Sequence, residues 1–150
     1  MSVLEDLQGK IGQEMGVSDW VECCQDRINK FADVTEDHQF IHVDEEKAKM
    51  LTPFGGTIAH GFLTLSLLSR FAETGLPAVP GVKMGMNYGL NKVRFLSPVP
   101  CGSHVRGHFT LASAEEKNPG QLLISYAITA EIEGSDKPAM VAEWLMLLFV

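Results

Sequence analysis

Within one hexapeptide, Asp37-His38-Gln39-Phe40-Ile41-His42, lies the densest group of side chains able to move protons. A carboxylate and an imidazole five residues apart in a loop can converge on one small volume. Together they can hold a water, take one of its protons and deliver a proton elsewhere. The same spacing also suits a plainer arrangement, in which Asp37 ends a helix and His42 bonds to backbone. A second group is Gly55-Gly56-Thr57-Ile58-Ala59-His60-Gly61, which opens an apolar helix. A helix N-terminus presents unpaired N–H groups and a positive partial charge, which suits a developing oxyanion. Gly61 has no side chain to hold a carbonyl away from the backbone. Equally, these glycines would serve a tight entry and close packing alone.

Other residues carry weaker signals. His38 and His42 are four apart and invite zinc, but a third ligand and a helix beneath the pair are missing, so no metal site is expected. Cys101 sits in a turn with no base nearby. Ser69 and Glu73 belong to the apolar helix as ordinary helix residues. Asn87 and Asn91 flank a strand irregularity, where they either line a pocket or cap strand edges. Gly61, His60 and Asn87 are the candidate substrate contacts beside Asp37 and His42.

The elements that must position these residues follow from periodicity. A strand is predicted over residues 14–22 and a helix over 25–36, with Ile28, Phe31 and Ala32 as its apolar stripe. Residues 36–42 read as a loop. Asp44 caps a second, short helix, with Glu45 and Glu46 in its first turn. The helix over 59–73 carries Phe62, Leu63, Leu65, Leu67, Leu68 and Phe71 in nearly every direction, so protein must wrap it. In residues 82–90 the even positions are apolar, whereas Val93 and Phe95 are odd. That change of phase predicts a β-bulge near residues 89–91. Residues 97–103 read as a turn, Val105, Phe109 and Leu111 as the next strand, and residues 116–120 as a second turn. Alternation is clearest from Leu122 to Ile132, and residues 140–150 close the chain. Consecutive strands with short turns predict an antiparallel meander. The fold class is α+β, a curved antiparallel sheet wrapped around a long central helix.

Composition limits the function classes. The 150 residues fit one domain, 1–150, and are 45% apolar and 21% charged, which excludes a disordered chain. A net charge of −7 argues against nucleic-acid binding. The three cysteines are odd in number and match no metal framework. No basic stretch leads into an apolar run at the N-terminus, so no signal peptide is expected. The apolar stretch at residues 58–68 is too short for a bilayer, which takes about 20 residues. A reducing, cytoplasmic setting is the expectation.

Motifs spread along almost the whole chain then converge. Phe31-Ala32 with Glu36-Asp37-His38-Gln39-Phe40-Ile41-His42-Val43-Asp44 resembles the Asp-x-x-x-x-His hydratase motif of the MaoC-like dehydratases. Pro53-Phe54-Gly55-Gly56-Thr57-Ile58-Ala59-His60-Gly61-Phe62 resembles the segment that starts their central helix. Asn87-Tyr88-Gly89-Leu90-Asn91-Lys92-Val93-Arg94-Phe95, with Pro98-Val99-Pro100-Cys101-Gly102 and the Ala142-Glu143-Trp144 ending, looks like the NodN-like branch. This resemblance implies the hotdog fold, a homodimer with acyl-CoA sites at the subunit interface, and (R)-specific enoyl-CoA hydratase or (3R)-hydroxyacyl-CoA dehydratase chemistry. It carries the catalytic Asp onto Asp37, the catalytic His onto His42 and the oxyanion N–H onto Gly61. Where many members have Asn-Pro between the Asp and the His, this chain has Gln39-Phe40, which leaves the segment less restricted. The implied substrate is a thioester of CoA or of acyl carrier protein, with no metal or redox cofactor. Lys83, Lys92, Arg94 and Arg106 are the candidate cations for a polyanionic carrier. A hotdog acyl-CoA thioesterase using Glu73, or a non-catalytic acyl-thioester binding module, is the alternative.

Overall fold

Ser2 and Glu5 start the first helix, α1 (Val3–Gln8), with a reciprocal cap. Ser2 Oγ accepts the Glu5 N–H at 3.1 Å and the Glu5 carboxylate accepts the Ser2 N–H at 2.8 Å. The computed structural model, which describes residues 1–150, continues with β1 (Glu14–Val17), β2 (Val21–Glu22), α2 (Gln25–Thr35), α3 (Phe40–Val43) and α4 (Glu45–Leu51). Then come α5 (Gly61–Ser66), α6 (Leu68–Gly75), β3 (Met84–Phe95), β4 (His104–Asn118), β5 (Gln121–Ile132) and β6 (Met140–Phe149). The expected first strand is thus two pieces, and Ser18 explains the gap. Its hydroxyl accepts the Gly107 N–H at 2.8 Å, a donor that a regular ladder gives to a strand carbonyl.

The strands form one antiparallel sheet in the order β1-β4-β5-β6-β3, with β2 beside β4. β4, β5 and β6 are the predicted meander. β3 departs from it, because it pairs with β6 and not with β4. Residues 96–103 are therefore no hairpin turn but a strap that crosses the start of the central helix. Pro98 and Pro100 lack the N–H groups of a ladder. The strap bonds elsewhere: Leu96 N–H to the Ala139 carbonyl at 2.9 Å, Cys101 N–H to the Thr57 carbonyl at 2.9 Å, and Ala59 N–H to the Val99 carbonyl at 2.8 Å.

The register of β3 against β6 shifts twice, leaving Tyr88 and Asn91 without partners. The shift at Asn91 is the predicted bulge; the one at Tyr88 goes beyond it. Two shifts put Asn87, Leu90, Val93 and Phe95 opposite Met146, Trp144, Ala142 and Met140, on the core side of the sheet. Met84 and Met86 instead turn outward and are about half exposed.

The central helix starts at Gly61 rather than at residue 59, and it breaks at Leu67. The Ser66 hydroxyl donates to the Phe62 carbonyl at 2.6 Å, a bond that competes with the helical ladder and bends it. Leu67 N–H then divides between the Leu63 and Thr64 carbonyls at 3.1 and 3.2 Å. Leu63, Leu67, Leu68 and Phe71 bury against the sheet's Phe109, Ile124, Tyr126 and Trp144. Protein does not wrap this helix on every side, since Phe62 is 67% exposed. Two glycine contacts set the helix against the sheet. A Cβ on Gly107 would lie 2.9 Å from the Phe71 ring, and one on Gly16 would lie 1.8 Å from the Gly75 carbonyl oxygen. No helix is long and apolar enough to cross a membrane.

Candidate active site

Three segments deliver polar groups to the start of the central helix. The first is the end of α2, where Glu36 adopts the left-handed conformation (φ 59°) and turns the chain. Asp37 follows; its N–H bonds the Ala32 carbonyl at 3.1 Å, and its Oδ1 accepts the Gln39 N–H at 3.3 Å. A left-handed residue with a Cβ costs roughly 1–2 kcal/mol, so Glu36→Gly is expected to stabilise the fold by up to about 1 kcal/mol. A higher urea midpoint with an unchanged slope is the measurement that checks it.

The second segment is α3, a single helical turn where the sequence suggested a loop. It buries His42 to 7% exposure. His42 Nδ1–H donates to the Ile58 carbonyl at 2.7 Å, which leaves the lone pair on Nε2. The His42 carbonyl accepts from Gln25 Nε2 at 2.7 Å, and Gln25 Oε1 accepts from the Thr57 hydroxyl at 2.6 Å. This clamp ties α2, α3 and the approach to the central helix together.

The third segment is His60-Gly61. His60 is 3% exposed and stacks on His42, with ring centroids 3.8 Å apart and planes 21° from parallel. Phe31 packs on its other side at 4.9 Å. His60 Nε2–H donates to the Asp37 carbonyl at 3.1 Å and lies 4.0 Å from Asp37 Oδ2. His60 Nδ1 is enclosed without a hydrogen-bond partner. The N–H groups of Gly61 and Phe62 meet no carbonyl of the protein, whereas those of Leu63 and Thr64 both reach the His60 carbonyl.

Asp37, His42 and His60 thus offer ligand atoms all within 4.8 Å of one another. Burial, first of all, holds the His42 pKa below the ordinary histidine value. The Ile58 carbonyl opposes that shift, His60 adds to it, and Asp37 opposes it. His42 is therefore a neutral base at pH 7. Stacked rings aim their in-plane lone pairs side by side, not at one point, so the trio suits proton transfer better than chelation. His38 takes no part, because its ring bonds Asp33 at 2.9 Å on the surface. The zinc pairing of His38 with His42 thus has no geometric basis.

A cleft of about 320 Å³ opens beside the trio, walled by His42, Gly61, Thr64, Phe95, Leu96 and Val99. The sequence did not single out the last four. Their signal was the proline pair, which marks the strap that brings Leu96 and Val99 over the helix start. Asn87 is not gathered here; it lines a neighbouring hollow with Leu65, Leu68 and Trp144. Glu73 lies at the opposite end of the helix, 3.9 Å from Arg70. Ser69 is exposed, and Cys101 is half-buried in the strap. Arg106 is committed to the outer sheet face, 2.9 Å from Glu131 and stacked over Trp20. Lys83, Lys92 and Arg94 are exposed.

Comparison with known proteins agrees with this architecture. Residues 6–132 match the MaoC like domain family. Nodulation protein N of Rhizobium leguminosarum bv. viciae is 50% identical over 145 residues, covering 97% of this chain and 90% of that protein. The 3-hydroxyacyl-thioester dehydratase Z of Mycobacterium tuberculosis is 51% identical over 138 residues, covering 92% and 90%. Among solved structures, the (R)-hydratase of A. caviae involved in PHA biosynthesis superposes with a TM-score of 0.68 at 24% identity, covering 91% of this chain and 94% of that one. The sheet curved about a central helix is the hotdog fold, and the chain belongs to the MaoC-like dehydratase family, on its NodN-like branch.

Proposed function

We propose that this protein is an (R)-specific enoyl-thioester hydratase, acting in reverse as a (3R)-hydroxyacyl-thioester dehydratase. The observation that carries the reading is His42, anchored through Nδ1 and close to Asp37, lining one cleft together with Gly61, whose N–H is unpaired. In hydration, Asp37 and His42 Nε2 hold a water. As the water oxygen bonds to C3 of the trans-2-enoyl group, His42 takes one of its protons. The C2–C3 π electrons move toward the thioester oxygen, which the Gly61 N–H stabilises as an enolate; one such donor is worth about 3–4 kcal/mol in other oxyanion sites. The proton on His42 then passes to C2, so H and OH have added and the imidazole is neutral again. Water addition involves no net redox change, so the reaction calls for no redox cofactor.

CoA or acyl carrier protein is the proposed thioester carrier. The unpaired edge of β3, with Met84, Met86, Tyr88 and Leu90 exposed, supports a homodimer as the working unit. The far placement of Glu73 gives no support to a thioesterase. Purified protein should consume crotonyl-CoA with loss of enoyl absorbance and dehydrate the (3R)- but not the (3S)-hydroxy product. Release of free CoA thiol, or binding with no turnover at any chain length, would overturn the proposal.

A further inference from the structure

His60 stands behind the cleft rather than in its wall. Ala59 and Gly61, on either side of it in the chain, line the cleft, and His60 does not. At 3% exposure its ring lies between Phe31 and His42. The one hydrogen bond of the side chain, from Nε2–H, goes to the Asp37 carbonyl. Nδ1 is enclosed and has no partner. A buried polar atom without a partner costs stability, and an apolar side chain of similar size would spare that cost. The fold alone therefore gives no reason for a histidine at this position. The reason lies in what the residue touches. Its face is laid on the ring of His42, and its edge holds the backbone of Asp37. Its own carbonyl takes the N–H groups of Leu63 and Thr64, which starts the central helix and leaves the Gly61 N–H free.

We infer that His60 is the positioning residue of this site, locking Asp37, His42 and the Gly61 N–H into one rigid unit without touching the substrate. The inference rests on the hydratase reading above and deepens it, moving His60 from the substrate contacts to the support behind them. Asp37 needs such a hold. It follows a left-handed residue, its side chain is half exposed, and its carboxylate bonds the Gln39 N–H alone, at 3.3 Å. His42 needs one too. Its Nδ1 bond to the Ile58 carbonyl fixes one edge of the ring and leaves the ring free to tilt about that bond. The face of His60 removes that freedom. A misplacement of about 1 Å in such a constellation costs on the order of 10²-fold in rate.

The test replaces His60 by three side chains that stay buried. His60→Gln keeps an N–H where Nε2 stands and a flat amide against His42. His60→Phe keeps a flat ring and loses the N–H, and His60→Leu loses both. Crotonyl-CoA hydration should fall about twofold, about tenfold and about 100-fold in that order, all in kcat, with KM within about twofold of wild type. Stability should not follow. The urea midpoints of His60→Phe and His60→Leu should lie at or above wild type, because each removes the enclosed, unpartnered nitrogen. The acid limb of the pH profile should move to higher pH in His60→Phe. His60 and Asp37 are the titratable groups acting on His42; without the first, Asp37 and the phenyl face both favour the imidazolium. Ring ¹⁵N signals of His42 read the same shift without turnover. Unchanged kcat with an unmoved His42 titration overturns the inference. So does a loss confined to KM, which makes His60 a substrate contact, or a loss matched by a lower urea midpoint, which makes its role structural. Wild-type turnover with neither the kcat loss nor the shift refutes this inference alone, whereas the shift without wild-type turnover refutes the hydratase reading alone.

Discussion

His42→Gln is expected to lower enoyl-thioester hydration by about 10²–10⁴-fold, the usual contribution of a positioned acid–base group. Glutamine keeps much of the volume and can still donate to the Ile58 carbonyl, so the fold should persist. What disappears is the Nε2 lone pair, the group placed to take the water's proton. Asp37→Asn should cost a similar factor, because it takes a carboxylate acceptor from the water; the fold should persist, since the side chain is half exposed and anchors little besides the Gln39 N–H. Near-normal rates in both variants would remove the site assignment. The wild-type pH profile adds a second check. Burial depresses the His42 pKa, so the rate should be flat through neutrality and fall only below the ordinary histidine range of about 6.5. The sign for stability is the same. As pH falls through that range the unfolded chain binds the proton first, so folding free energy is lost on the acid side. His42→Gln should remove that part of the slope, read from urea midpoints at pH values on both sides of the range.

Gly16→Ala is expected to be the most damaging small substitution. The added methyl would sit 1.8 Å from the Gly75 carbonyl oxygen, well inside contact distance, and both partners are backbone. No side chain can rotate away, so β1 and the end of α6 must separate. Gly75 meets the other side of the same contact, since a Cβ there would approach Ser18 N to 2.8 Å. A loss of about 3 kcal/mol is expected, the upper end of ordinary overpacking. That is a large share of a total near 5–15 kcal/mol. A urea midpoint within experimental error of wild type would refute the contact.

Local regularities were legible in the chain. The alternation from Leu122 to Ile132 became the central strand β5, and the apolar stripe of Ile28, Phe31 and Ala32 became α2. Asp44 caps α4 by accepting the Lys47 N–H at 3.0 Å. The Asp37 and His42 pair could be picked out because it lies in the densest group of proton-moving side chains in the chain. Long-range choices were not legible. Nothing local tells β3 to pair with β6, since that partner lies about fifty residues onward and hairpin pairing with β4 would satisfy the same alternation. The hollow that Asn87 lines, next to the cleft and not part of it, was not legible for the same reason. It depends on a bulge at Tyr88, and one skipped residue moves a side chain across the sheet. The stacking of His60 on His42 likewise depends on the strap and on the Gln25–Thr57 clamp, which join segments far apart in sequence.

The two unpaired residues of β3 also say where this chain can change its length. Tyr88 and Asn91 lie outside the pairing with β6, so dropping either one closes the ladder without turning its neighbours over. Removing a paired residue such as Val93 would instead invert the rest of the strand. Lineage-to-lineage gaps and insertions in this strand should therefore accumulate at those two positions and spare the stretch between Lys92 and Phe95.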